Sequence, residues 1–470
     1  MIIKKKIIIK ISMYNIYNMS SPNIVNVEKF EILPSNQPAN NTYSFRGSNP
    51  IVEMTIPAQA KFLRPSSVRI NGTLRINTSG GALINNNTLK AETLQQVELN
   101  SRVGVHSCFQ NVVLSSEATN QSLEAIRQYG RLVSTLLSST HSDQDFMGEK
   151  SNVAVMNGLN NSSCNLVNNE IRFSIPLYCG LLQGGNPIPL SMNGINGLKI
   201  KLELASDQQV LKGTNANTGS GAFYQLKDIS VSGDLLVPDD KGQASLSVAG
   251  SGAFQYNSYS SLYSVLNSND STQTYNLANS QVLSVFHTFL PVSHSNNYGQ
   301  DGFTNNGLLN TDANGVNYTT ACNLKKVSFS RGGVKLGLDY EVDVEQNAIQ
   351  GLPEAQILQQ YLNAFQEFDS LSRMINNKQL LSYGGKDKVP YKDVLTFARQ
   401  VGVDADAGAR NFGIGLAMDR VSDMGMSFKG QSYATRIVSD LDGKSPNAIY
   451  SFILAKNTLQ YSPNGVMVMN

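Results

Sequence analysis

The chain has 470 residues, more than one ordinary domain core accommodates, so two large domains are expected. Charged residues make up 15% of the chain, the net charge is +2, and there are 38 glycines and four cysteines. This composition favours turns and short strands, and it excludes a dedicated polyanion binder and a small disulfide scaffold.

The beginning of the chain, Met1–Lys10, mixes isoleucine and lysine without a small-residue cleavage site. We therefore expect no signal peptide, and we expect no membrane span because no uninterrupted apolar run reaches about 18 residues. Met19 is a candidate for the true translation start. Residues 1–26 are interpreted as an N-terminal arm, part of which lies before that methionine. The alternative is a basic arm on nucleic acid, although its lysines (Lys4, Lys5, Lys6 and Lys10) would neutralise few phosphates.

Apolar and polar residues alternate with period two in several segments, which is typical of strands with one buried face. The clearest are Val68–Ile76, Leu198–Leu204 and Val334–Val344. Further predicted strands are Val52–Ile56, Ile171–Leu177, Ile229–Val237, Val282–Leu290, Lys325–Phe329, Ala448–Leu454 and Gly465–Met469. Gly- and Asn-rich turns separate them at Gly80–Gly81, Asn85–Asn87, Asn157–Asn161, Asn215–Gly221 and Asn305–Gly315. Strands joined by polar loops predict a sandwich or a barrel.

Two segments have helical spacing instead. The first stripe, which Asn120 or Ser122 would cap, consists of Leu123, Ile126, Tyr129, Val133 and Leu136. The second, with Pro353 suited to the first helical position, consists of Ile357, Tyr361, Phe365 and Phe368. A shorter helix is predicted from Tyr391 to Val401.

The two main helices indicate an internal repeat. Ser122 and Pro353 lie 231 residues apart (353 − 122), close to half of the 470-residue chain. The segment Val237–Gly252, with Pro, Gly, Ser and Ala, is a plausible linker. We place the domain boundary near residue 245, which gives domains of residues 27–244 and 245–470.

Catalytic and metal-binding patterns are weak. His106 and Cys108 would merely share one face of a strand, and His287 lies in a strand that is apolar on both faces, as expected of a core residue. The histidines and cysteines (His106, His141, His287, His294, Cys108, Cys164, Cys179 and Cys322) have no zinc-site spacing. The cysteines are interpreted as buried thiols of a reducing compartment.

Two further motifs are incomplete. Asp404 and Asp406 lack the closing Glu of a calcium loop, so a solvated turn is expected. The glycine-rich stretch Gly408–Gly415 lacks the lysine of a phosphate-binding loop, and its glycines are assigned to turns. We therefore predict no catalytic residue, no cofactor site and no metal site, and we expect the function to lie in interfaces.

Several sequence segments, taken in their order along the chain, resemble those of one protein family. They are Phe45–Ile51 with Phe62–Ser67, Ile171–Leu177, Phe254–Tyr263, Lys325–Leu336 and Ser445–Leu454. Together they resemble the double jelly-roll major capsid proteins of double-stranded DNA viruses, most of all those of virophages and Polinton-like viruses. The likeness extends over most of the chain from Phe45 onward. In contrast with longer relatives, only Asp207–Gly221 and Asn296–Asn323 are long enough to project as loops.

The resemblance implies an all-β fold of two tandem jelly-roll β-barrels, each with a short helical insertion. It implies a non-enzymatic protein that forms homotrimers of pseudo-hexameric outline, which tile an icosahedral virion shell with penton and minor capsid proteins. Strong direct nucleic-acid binding is not expected. The alternatives are a carbohydrate-binding β-sandwich surface protein or adhesin, disfavoured by the absence of Trp, and a β-rich hydrolase, disfavoured by the missing triad.

Overall fold

The computed structural model describes residues 23–47, 49–77, 97–99, 103–140, 170–191, 195–213, 221–247, 252–266, 268–298, 302–303, 309–311, 317–319, 324–341, 360–361, 363–364, 413–418, 425–439, 447–462 and 465–469. Several predicted features lie outside these residues. They are the predicted helix Tyr391–Val401, the pair Asp404 and Asp406, Cys164, Cys322, His141, Pro353 and most of the predicted turns.

The first half of the chain contains thirteen described strands and four described α-helices. The strands are β1 Ile24–Ile32, β2 Thr42–Tyr43, β3 Ile51–Ile56, β4 Phe62–Leu63, β5 Arg69–Asn77, β6 Val97–Leu99, β7 Phe109–Ser116, β8 Ser122–Arg127, β9 Glu170–Pro176, β10 Ile188–Pro189, β11 Leu198–Leu204, β12 Leu211–Gly213 and β13 Phe223–Pro238. The helices are α1 Tyr129–Thr140, α2 Gly180–Gln183, α3 Asp207–Val210 and α4 Asp240–Ser247.

The second half is built from strands in the part of the chain that the structure describes. They are β14 Gly252–Leu266, β15 Asp270–Asn276, β16 Val282–Pro291, β17 Leu309–Thr311, β18 Asn317–Thr319, β19 Leu324–Arg331, β20 Val334–Glu341, β21 Gly413–Ala417, β22 Ser432–Ser439, β23 Asn447–Ser462 and β24 Gly465–Met469. Short 3-10 turns occur at Pro65–Ser67, Gly104–Cys108 and Val292–His294.

The two halves have the same strand order. In the first half, one sheet runs β1-β13-β5-β9 and the other runs β3-β11-β7-β8. In the second half, the corresponding sheets run β14-β23-β16-β21 and β15-β22-β19-β20. If the eight main strands of each half are numbered along the chain, both halves read 1-8-3-6 and 2-7-4-5. This is the order of an eight-stranded jelly roll, and the predicted repeat is therefore confirmed.

Alternating burial explains why these segments form two-layered barrels. Along β11 and β3 every second residue is buried, so each strand turns one apolar row towards the core. Polar contacts also join the layers: the Tyr224 hydroxyl on β13 donates to the Ala205 carbonyl at 2.7 Å. In contrast, β16 is buried along its whole length because both of its faces are covered.

The first predicted helix begins later than expected. Ser122–Arg127 forms strand β8, and the helix starts only at Tyr129. Between them, Gln128 has a φ of 59°, a left-handed conformation that ends the strand and redirects the chain. The predicted cap at Asn120 or Ser122 is therefore wrong. Leu123 is nevertheless buried, on the opposite face of the strand from Ile126.

The second predicted helix is described only in part. Gln360, Tyr361 and Asn363 are helical, and the Ala364 N–H donates to the Gln360 carbonyl at 3.1 Å. Tyr361 follows Tyr129 by 232 positions (361 − 129), and both rings are buried. Both helical segments lie between the fifth and sixth strands of their jelly rolls, as the repeat predicts.

The predicted linker contains regular structure. Strand β13 ends at Pro238, helix α4 covers Asp240–Ser247, and β14 begins at Gly252. The boundary placed near residue 245 falls within this helix. At the other end, β1 begins at Ile24, inside the segment assigned to the N-terminal arm.

Candidate functional site

The pair His106 and Cys108 is not an activated nucleophile. Both residues lie in the 3-10 turn Gly104–Cys108 and not on a strand, so the predicted shared strand face is wrong. Burial lowers the pKa of His106 to about 3 and raises the pKa of the Cys108 thiol well above its usual value. The His106 Nδ1 atom lies 3.2 Å from the Tyr129 hydroxyl. The imidazole stays neutral and the thiol stays protonated, so this pair is part of the core.

His287 is a core residue, as the sequence predicted. It lies on β16 with 1% of its surface exposed, and its ring nitrogens lie 2.7 Å from the Ser451 hydroxyl and 3.0 Å from the Tyr433 hydroxyl. The Thr435 hydroxyl is 3.1 Å from Nε2. Burial lowers the pKa of His287 to about 3. Its polar atoms are therefore used to join the two layers of the second barrel.

The described part of the glycine-rich stretch Gly408–Gly415 was interpreted wrongly. Gly413 and Gly415 were assigned to turns, but they lie in strand β21, which pairs with β16. A Cβ atom on Gly415 would lie 2.9 Å from the Cβ of Ala364. Glycine is needed here because a helical segment packs directly on the strand.

Among the residues that the structure describes, Cys108 and Cys179 are buried free thiols. In that part of the chain, no three His, Cys, Asp or Glu side chains come together as a metal site. No helix within the described ranges is long and apolar enough to cross a bilayer.

The two barrels are joined by a continuous sheet. Strand β14 of the second half pairs in parallel with β8 of the first half, with Ser260 opposite Ala125. The resulting nine-stranded sheet contains strands of both jelly rolls. Beside the joint, the Tyr256 hydroxyl donates to the Leu123 carbonyl at 2.8 Å.

A buried carboxylate lies at this joint. Glu124 on β8 is 3% exposed, and its oxygens accept N–H groups from Gly180 at 2.8 Å, Leu181 at 3.0 Å and Tyr259 at 2.7 Å. Tyr259 belongs to the second barrel, so one carboxyl group connects both. Burial raises the pKa of Glu124 to about 7, against the opposing effect of the three N–H donors. Sequence reasoning missed this role because Ser122–Arg127 was interpreted as helix.

The terminal strands expose apolar side chains. On β1, Val25 is 71% exposed, Val27 49% and Ile24 41%. On β24, Met467 is 55% exposed and Met469 39%. Among the described strands, β1 pairs only with β13 and β24 pairs only with β23, so each has an edge available for another chain. Strand β24 was predicted from the sequence, whereas β1 was not, although its β-branched residues are a strand signal.

Sequence comparison identifies no relative: no protein family matches, and no curated protein matches. The fold does match solved structures. The Faustovirus major capsid protein has a TM-score of 0.57 at 11% identity, over 97% of this chain and 94% of that one. The PBCV-1 virus capsid protein has a TM-score of 0.54 at 12% identity, over 96% and 97%. The Sputnik virophage protein has a TM-score of 0.50 at 10% identity, over 95% and 88%. This chain therefore has the double jelly-roll fold of these virus capsid proteins, as the sequence resemblance implied.

Proposed function

We propose that this protein is the major capsid protein of a double-stranded DNA virus. It assembles with itself as homotrimers of pseudo-hexameric outline, and these tile an icosahedral shell. Its work is structural and not enzymatic, and its location is the virion. Within this proposal, residues 27–244 and 245–470 are the two jelly-roll domains and residues 1–26 are an N-terminal arm.

The observation that carries the proposal is the fixed pair of barrels. Each chain holds two jelly rolls of identical strand order, locked side by side through β8 and β14. Three such chains around a threefold axis present six similar barrels, which suits a site in a hexagonal lattice. A closed threefold ring is a permitted cyclic assembly. The duplication in the chain is thus explained by geometry.

The terminal strands support the same proposal. Exposed apolar side chains such as Val25 and Met467 are unfavourable on a protein that stays alone in water. Their strands carry open edges, so a neighbouring copy can cover the apolar side chains and pair with the backbone. We assign contacts between copies to these termini, together with loops and helices. Penton and minor capsid proteins would bind the finished trimers, and assembly would precede release from a reducing compartment.

The proposal is tested by purifying the full chain and measuring its mass by size-exclusion chromatography with light scattering. A trimer of about 153 kDa, three times the 51.1 kDa of the chain, is expected. Electron microscopy of the same fraction should show hexagonal particles with threefold detail, alone or in shells. A monomer that stays monomeric at every concentration and salt condition would refute the proposal. The virophage or Polinton-like origin is a separate prediction, which identification of the parent virus genome would test.

A further inference from the structure

A polar cavity lies between the two barrels. Its volume is about 180 Å³. The first half contributes Gln110, Gln128, Arg131 and Gln209 to its walls, and the second half contributes Tyr263, Leu290, Ser295, Asn296, Gly302 and Tyr450. This volume exceeds that of a cavity of about 150 Å³ that accommodates benzene, so one six-membered ring fits.

The floor of the cavity is rigid. Arg131 on α1 is 2% exposed, and its guanidinium donates to the carbonyl of Phe289 at 2.8 Å and to that of Gly302 at 3.3 Å. The guanidinium carbon lies 4.8 Å from the centre of the Tyr450 ring. Both carbonyls and the ring belong to the second barrel, so the floor is assembled only when the barrels are joined.

The rim is exposed and shaped by strained backbone. Gln128 has a φ of 59° and Asn296 has a φ of 56°, although neither is glycine. Such conformations cost free energy and occur often at ligand sites. The Ser206 hydroxyl donates to Oδ1 of Asn296 at 2.7 Å, which ties the rim of one barrel to the other.

The chemistry of the walls selects a class of ligand. Four side-chain amides (Gln110, Gln128, Gln209 and Asn296) line the cavity, and amides donate and accept as hydroxyl groups do. The Oε1 atom of Gln110 is sealed from solvent, so the amides that can meet a ligand are those of Gln128, Gln209 and Asn296. One wall is aromatic: Tyr263 is 53% exposed, and its ring packs edge-on against Tyr450 with centroids 5.4 Å apart.

We propose that this cavity binds a single neutral sugar ring. The hydroxyl groups of the sugar would pair with the amides, and its C–H face would lie on the exposed ring of Tyr263. This site goes beyond the assembly function and does not depend on it. It gives the protein a glycan-binding activity that belongs to the joined barrels and to neither barrel alone.

Saturation-transfer NMR on the full chain tests the proposal. The probes are the methyl glycosides of glucose, galactose, mannose and N-acetylglucosamine at millimolar concentration. The wild-type protein should transfer saturation to ring protons of at least one of them. Tyr263→Ala should weaken that binding about three- to tenfold, because the stacking surface is lost, whereas Tyr263→Phe should retain it.

Two further variants make the result decisive. Gln209→Leu removes one half-buried amide from the wall at nearly constant volume and should also weaken binding. It decides the matter if Tyr263→Ala does not fold. Val334→Ala, at a site that is 69% exposed and not part of the cavity, should leave binding unchanged. Absence of transfer from all four glycosides, or equal transfer with wild type and both cavity variants, would overturn the proposal.

Discussion

The carboxyl group of Glu124 should make the joint between the barrels sensitive to pH. Burial raises its pKa in the folded protein to about 7, above an ordinary value of about 4.5. The folded state therefore binds the proton more tightly than the unfolded state does. The contribution of this group is fully present below about pH 4.5 and is lost as the pH rises through about 7.

The size of the effect follows from the shift. A difference of about 2.5 pKa units corresponds to about 3 kcal/mol of unfolding free energy, most of it lost between about pH 5 and pH 8. Glu124→Gln removes the titration but keeps the shape. The amide nitrogen of Gln would face one of the three N–H donors and leave it unpaired. At acidic pH, where the wild-type carboxyl is protonated, the variant should therefore be about 1–3 kcal/mol less stable than the wild type.

Urea unfolding followed by far-UV circular dichroism between pH 5 and pH 8 measures both proteins. The stability of the wild type minus that of Glu124→Gln should fall by about 3 kcal/mol across this range. The exposed Glu117→Gln serves as the matched control and should follow the wild type. A difference between wild type and Glu124→Gln that stays constant from pH 5 to pH 8 would show that Glu124 does not titrate there, and would refute the reasoning.

Three other predictions follow from the core and the edges. His287→Phe should cost about 2 kcal/mol in urea unfolding at pH 7, because the buried hydroxyls lose the imidazole as a hydrogen-bond partner. As the pH falls from about 6.5 towards 3, the variant should lose less stability than the wild type, because, among the described residues, only His106 still contributes a histidine with a pKa of about 3; equal losses in the two proteins would count against this. Gly415→Ala should cost about 1–3 kcal/mol by crowding the helical segment, whereas Gly185→Ala, with nothing within 4 Å, should cost little; equal costs would contradict the packing argument. Val25→Asp should reduce the trimer fraction in light scattering without lowering the urea midpoint, whereas Val25→Leu, which keeps the side chain apolar, should not; equal trimer fractions would remove β1 from the assembly surface.

The fold was largely predictable from local patterns. Leu198–Leu204 has the bounds that were predicted, because a strict alternation over one buried face specifies both the strand and its orientation. Gly465–Met469 also has its predicted bounds. The internal repeat was predictable too, since each jelly roll has its helical insertion between the same two strands. The start of the first helix was not, because only the backbone at Gln128 separates β8 from α1.

The candidate site was much less predictable. Glu124 is buried through contacts with Gly180 and Tyr259, which are 56 and 135 residues away in the chain. No periodicity of a single segment contains that information. The polar cavity between the barrels likewise draws its walls from separate segments of both halves, and its strained positions, Gln128 and Asn296, have no sequence signature of their own. What could be inferred was the class of function, from the lack of catalytic patterns and from the family resemblance.

The strand pairing between β8 and β14 also has a mechanical consequence. The strand pairing and the shared carboxylate of Glu124 restrict rotation of the two barrels against each other. If the proposed shell forms, its curvature would then arise mainly from the angle between neighbouring molecules and not from bending within one molecule.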